Sequence, residues 1–216
     1  MSENTKTVST SVEETVTSDL TGKETGKNTK NRETVKAITV TGLFIALTLV
    51  FTACVNIKLP FGYGGLIHLG NIPLLLAAML YGKRTGFFAG AFGMAIFDIM
   101  SSWAIYAPCT FITCGLMGFV VGLIVEKKSG FGFKVLAVGA ALLIKLAGYY
   151  IFEAIFYHSL VTPLASFPGN ILQVVLAAIP VLLLIVPLEK VLNKTGLLFA
   201  GAFGMAIFDI MSSWAI

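Results

Sequence analysis

Charge is scarce in this chain. Of 216 residues only 12% are Asp, Glu, Lys or Arg, about half the share of a soluble domain. With 56% hydrophobic residues and a mean hydropathy of +0.89, the composition excludes an ordinary water-soluble globule. Ligating and nucleophilic residues are few as well. There are two histidines and three cysteines, and Cys54, Cys109 and Cys114 match no metal or redox spacing. They read as apolar packing residues. Phosphate chemistry is excluded by what YGKRTG lacks: the upstream glycine and a hydroxyl after the lysine. The short GYGG has no strand–helix context for a dinucleotide. No H-E-x-x-H and no G-x-S-x-G occurs. The residues therefore predict no metal, no catalytic group and no ATP site.

What the chain does have is long apolar runs. A helix needs about 20 apolar residues to cross a bilayer, and six segments approach that length: 37–55, 66–80, 85–105, 110–125, 135–157 and 167–188. The second is short and should be tilted or partly interfacial. Backbone in hydrocarbon must satisfy its own hydrogen bonds, so the fold class is an all-α integral membrane protein, a bundle of six transmembrane helices. Residues 1–36 are rich in Ser, Thr, Glu, Lys and Asn. They bury too little surface to offset their ordering entropy and predict a disordered tail rather than a signal peptide.

The net charge of +4 is informative once divided. Residues 1–36 balance to zero, so the excess lies between the apolar runs. Lys30, Arg32 and Lys36 precede the first run. Lys83 and Arg84 lie after the second, Lys127, Lys128 and Lys134 after the fourth, and Lys190 and Lys194 after the sixth. With six crossings all fall on one side, and only Lys58 falls on the other. Basic loops face the cytoplasm, which predicts a multi-pass plasma-membrane protein with a cytoplasmic N-terminus. This excess reads as a topology signal, not a nucleic-acid surface.

The stretch FAGAFGMAIFDIMSSWAI occupies 88–105 and recurs letter for letter at 199–216. Old repeats drift in sequence, and this one has not. Residues 195–216 read as a recent duplication, a frameshift-like scar or an engineering artefact, without function, so Asp209 receives no role.

Ionisable residues inside a membrane helix cost about 2.5–3.5 kcal/mol on insertion scales and usually face protein or water. Asp98, Lys145 and Glu153 qualify. In KLAGYYIFEAIFY, Lys145, Tyr149 and Glu153 stand at i, i+4 and i+8 and share a helix face, flanked by Tyr150. They suit either a polar pocket wall or an intrahelical Lys–Glu link. Asn170 and Gln173 in FPGNILQ suit a pocket or a helix cap. Trp103 and Tyr106 suit a pocket or an aromatic belt. The outer loop LPFGYGGLIHLGN offers Phe61, Tyr63 and His68, with glycines that allow tight turns. These groups converge on one end of the bundle, a composition for a small polar aromatic ligand. On the first helix, Gly42 and Ala46 form a small-xxx-small pair, which suits a docked partner or internal packing.

Two passages, HLGNIPLLLAAMLYGKRTGFFAGAFG and FPGNILQVVLAAIP, resemble the substrate-binding S components of energy-coupling factor (ECF) vitamin transporters, in the riboflavin, vitamin B6 and hydroxymethylpyrimidine branch. The resemblance spans about 35–194. It implies a vitamin bound by the outer ends of helices four to six and the loop after helix one. It also implies partners: a transmembrane coupling subunit and two ATPases that use ATP and Mg, while the S component carries no cofactor of its own. Gly42 and Ala46 stand where the family has an A-x-x-x-A contact to the coupling subunit. The candidate ligand-binding set is Tyr63, His68, Asp98, Trp103, Tyr106, Lys145, Tyr149, Tyr150, Glu153, Asn170 and Gln173, with Asp98 either touching ligand or pairing with Lys145. A B6-like or pyrimidine-like vitamin is expected ahead of riboflavin. The competing readings are a proton-coupled transporter using Asp98, Lys145 and Glu153, and an intramembrane enzyme using Glu153 and His68.

Overall fold

The computed structural model of the chain describes residues 31–58, 66–128 and 130–195. Residues 1–30, the loop residues Phe61 and Tyr63, and the terminal repeat lie outside the described residues. By packing the chain divides into two units, Met1–Ile38 and Thr39–Ile216. The first contributes the opening turns of helix α1, and the second everything that follows.

Among the described residues the helical stretches are α1 (Asn31–Cys54), α2 (Asn71–Met100), α3 (Ala107–Lys127), α4 (Phe131–Phe156) and α5 (Phe167–Thr195), and α2 is two helices joined at a break. The second and third expected segments are the two arms of α2. They meet at Gly82, whose φ of 87° and ψ of 179° are not helical. Only glycine adopts such a φ without strain. The break leaves the Lys83 backbone N–H without a helical partner, as at any helix start. Glu126 of α3 supplies one: its Oε1 accepts that N–H at 2.9 Å, and its Oε2 accepts the Lys83 ammonium at 2.7 Å. A Cβ at Gly82 would collide with this carboxylate.

Helix α1 begins at Asn31, inside the stretch expected to lack structure. Asn31 and Glu33 favour a helix start, where amide groups and the dipole attract polar and acidic side chains. The apolar run then carries the helix to Cys54. Four helices are long and apolar enough to cross a membrane: Asn31–Cys54, Ala104–Lys127, Phe131–Phe156 and Thr162–Lys194. The chain is a multi-pass membrane protein.

The fold also departs from all-α. Strands β1 (Asn56–Lys58) and β2 (Leu66–His68) pair antiparallel, with Asn56 opposite His68. This hairpin delivers His68 to the start of α2. A core of Leu74, Leu75, Met94, Met117, Val121, Ala141, Val181 and Ile185 joins α2, α3, α4 and α5. The closest approach is between α2 and α3, where a Cβ on Gly118 would strike the Gly86 carbonyl. Small residues permit such contact in lipid, where no hydrophobic effect drives helices together.

Candidate functional site

One end of the bundle holds a cavity with about 420 Å³ of empty space, its open mouth included. Each wall comes from a different element. The hairpin gives His68. The end of α2 gives Asp98, and the turn beyond it gives Trp103. Tyr106 and Thr110 open α3, Lys145, Tyr149 and Glu153 come from α4, and Asn170 and Gln173 open α5. Nine of the eleven expected residues are thus brought together. Tyr63 lies outside the described residues. Tyr150 does not line the cavity. Its hydroxyl donates to the Leu160 carbonyl at 3.0 Å and its ring meets Phe167 edge-on at 5.9 Å. Lying one residue past Tyr149, it faces about 100° around the helix from it.

The i, i+4, i+8 spacing on α4 produces the wall it predicted, but the pairings differ from both expected ion pairs. Lys145 and Glu153 are 1% and 2% exposed and Asp98 is 8% exposed. No ion pair joins Lys145 to either acid among the described residues. The Lys145 ammonium instead donates to Gln173 Oε1 at 2.7 Å and sits 5.7 Å from the centre of the Tyr149 ring. The reason lies in helix placement: Gln173 enters from the second turn of α5 beside Lys145, whereas Glu153 stands two turns further along α4.

Glu153 has a local partner that the sequence did not reveal. Ser166, in a 3-10 turn at Thr162–Ser166 just before α5, lies with its hydroxyl 2.8 Å from Glu153 Oε2 and also 2.8 Å from the Pro163 carbonyl. A hydroxyl has one proton, so it donates to one of the two at a time. Tyr106 pairs with Tyr157 through their hydroxyls at 3.1 Å, and its ring packs on Trp103 and Phe152. These aromatics form the side wall.

His68 stands on the hairpin, outside the membrane-spanning helices, and is buried. Burial, helped by the Lys145 charge, pushes its imidazole down to about 3, so the ring is neutral at physiological pH. Its Nδ1 accepts the Gly70 N–H at 3.3 Å, which places the ring proton on Nε2. His68 is therefore a neutral donor at the cavity. Lys145 is a second donor, and Asp98 and Glu153 bring carboxyl groups.

Among the described residues Thr110 is the one lining residue that sequence reasoning missed. It sits among apolar residues in APCTFITC, and nothing in that string separates it from Thr113, which packs against Gly148 instead.

The expected docking pair lies elsewhere. Gly42 and Ala46 are both exposed on α1, and a Cβ at Gly42 would meet nothing within 4 Å. Among the described residues the pair is an open face that packs no neighbouring helix.

The chain is similar to known proteins. A thiamine precursor transporter, HmpT, of Lactococcus lactis is 24% identical over 168 residues, covering 78% of this chain and 94% of that protein. A UPF0397 protein of Streptococcus agalactiae serotype Ia is 32% identical over 100 residues, covering 45% of this chain and 52% of that protein. The solved S component of a bacterial ECF transporter superposes with a TM-score of 0.59 at 16% identity, over 73% of this chain and 97% of that one, a likeness of fold. The sequence model of the ECF-type riboflavin transporter S component family matches residues 32–190, and the chain belongs to that family.

Proposed function

We propose that this chain is the substrate-binding subunit of an ATP-driven ECF importer, and that its cargo is a hydroxymethylpyrimidine-type thiamine precursor captured from outside the cell. The observation that carries this reading is the buried polar cavity at one end of the bundle. It holds an ammonium with no carboxylate partner among the described residues, two carboxyl groups, two amides and a flanking aromatic wall. The transporter HmpT, similar along most of its length, has a thiamine precursor in its name. That favours a pyrimidine over the B6-like alternative.

The chain has no nucleotide site of its own in this reading. Energy comes from two ATPases through a coupling subunit that docks on the open Gly42 and Ala46 face of α1. Residues 37–194 are the membrane domain, in the plasma membrane with the N-terminus in the cytoplasm. Gly42→Leu is expected to leave ligand binding intact and to reduce ATP-driven uptake to background in reconstituted vesicles. Impaired folding of that variant would instead assign Gly42 to internal packing.

Ligand identification tests the cargo. The protein is purified in detergent and denatured, and the released molecules are identified by mass spectrometry. A thermal-shift screen of hydroxymethylpyrimidine, pyridoxine, thiamine and riboflavin runs alongside. A released pyrimidine, or a shift with it alone, is the expected result. Riboflavin or pyridoxine in its place would move the cargo to that vitamin. Uptake into vesicles that contain no ATPase would defeat the S-component mechanism.

A further inference from the structure

Helices α4 and α5 are joined by two lysine links of the same form and different charge balance. Lys134 of α4 donates to Glu189 of α5 at 2.6 Å, and Lys145 of α4 donates to Gln173 of α5 at 2.7 Å. Both lysines are buried. Glutamate and glutamine are alike in size, and each offers an sp² oxygen as acceptor. They differ in charge. At Lys134 the acid cancels the ammonium. At Lys145, which lines the cavity, the amide accepts a proton and cancels nothing. The second neighbour of this ammonium is neutral too: the ring of Tyr149, one turn along α4, with its centre 5.7 Å away. An aromatic face attracts a cation within about 6 Å. That ring is tied in turn to α3, since the Tyr149 hydroxyl lies 2.9 Å from Thr110 Oγ1.

A lysine head on its flexible four-carbon stem has many positions open to it. Gln173 and Tyr149 hold this one at the cavity. An ammonium has three N–H donors. One goes to Gln173 Oε1, and no ion pair joins Lys145 to an acid among the described residues. Its charge is therefore left for whatever the cavity holds, and a buried charge without a counter-charge favours a ligand that brings an acceptor. His68 presents a second N–H to the same cavity. In a pyrimidine the matching acceptors are the ring nitrogens. We propose that Gln173 is a positioning residue whose neutral carbonyl aims the Lys145 ammonium without cancelling its charge, so that Lys145 reads a ring nitrogen of the ligand. This rests on the pyrimidine reading above and adds the residue that keeps the charge available.

The test compares two ligands on the purified full chain by titration calorimetry. One is 4-amino-5-hydroxymethyl-2-methylpyrimidine. The other is its benzene analogue, (2-amino-4-methylphenyl)methanol, which keeps all three substituents and lacks both ring nitrogens. A hydrogen bond from a charged donor makes the nitrogen worth about ten- to a hundredfold in Kd. Gln173→Glu gives the ammonium a counter-charge. The preference should fall below about threefold, while the melting temperature of the ligand-free protein holds or rises. Gln173→Met removes the acceptor, so the preference and the melting temperature should both fall. A purely packing role would lower the melting temperature in both variants. Equal binding of both rings by the wild type overturns the proposal while leaving the pyrimidine reading intact. So does a wild-type preference in either variant. A lower melting temperature or loss of folding in Gln173→Glu assigns Gln173 to packing and overturns its role toward the charge. Failure of the wild type to bind either ring overturns the pyrimidine reading and this inference with it.

Discussion

The two ends of the bundle treat charge in opposite ways. At the end away from the cavity, two bases meet acids of neighbouring helices: Lys83 reaches Glu126 at 2.7 Å and Lys134 reaches Glu189 at 2.6 Å. At the cavity end, Lys145, Asp98 and Glu153 are more deeply buried than Glu126, Glu189 or Lys83, yet no ion pair joins them. Burying a charge costs several kcal/mol unless it is well paired. The paired end is arranged for stability. The unpaired end carries a cost that a bound ligand would offset, which is what the proposed function asks of the cavity end. Stability and binding should therefore separate cleanly between the two.

The largest separation is expected for Lys145→Met. It removes a fully buried ammonium and keeps most of the side-chain volume. Ligand affinity should fall at least about a hundredfold, because hydrogen bonds to a charged group are strong and the variant has no ammonium to offer the ligand. The melting temperature of the ligand-free protein should hold or rise, since an unpaired buried charge no longer has to be accommodated. A lower melting temperature without ligand would break the comparison by showing that Lys145 stabilises the empty bundle. Glu153→Gln is the milder form of the same test. Ser166 can still donate to the amide oxygen, so folding and expression should stay near normal. Affinity, read by titration calorimetry, should drop about tenfold or more.

Lys134→Met makes the contrast from the other end. Lys134 is buried and Glu189 is only partly so, so the loss should cost about 1 kcal/mol, or about 2–4 °C in melting temperature for a chain of this size. Ligand affinity should not move. A change in affinity would mean that the two ends communicate through α4 and α5.

The sequence disclosed these two regions unequally. Asp98, Lys145 and Glu153 were legible because a charge inside an apolar run is costly and has to be explained. The spacing on α4 then placed Lys145, Tyr149 and Glu153 on one wall. Their partners were not legible. Gln173 lies 28 residues from Lys145, and Thr110 lies 39 from Tyr149. Periodicity speaks only within a helix, so it offered an intrahelical Lys–Glu link where the bundle makes a link between helices. The join at Gly82 was not legible for a related reason. The basic pair Lys83–Arg84 marked a boundary between apolar runs, but not that two arms would meet there in one broken helix, closed by Glu126. Strands of three residues have no alternation to detect, so the hairpin that presents His68 was missed. The start of α1 at Asn31 was masked by a polar composition that reads as tail until the apolar run begins.

The smallest effects belong to the Lys83–Glu126 contact, and they sharpen what the paired end is for. Both side chains are more than a quarter exposed, at 29% and 26%, so the ion pair itself should be worth only about 0–1 kcal/mol. Glu126 has a second task, accepting the Lys83 backbone N–H at the break in α2, and a lost cap costs about 0.5–2 kcal/mol. Lys83→Met removes only the ion pair. Glu126→Gln keeps an acceptor for the backbone, and Glu126→Ala removes both contacts. Thermal unfolding should therefore rank Glu126→Ala as the most destabilised and the other two close to wild type. If Lys83→Met were as damaging as Glu126→Ala, the salt link and not the cap would hold the two arms of α2. If all three matched wild type, the break at Gly82 would be held by helix packing alone, with the close approach of Gly86 and Gly118 carrying the joint.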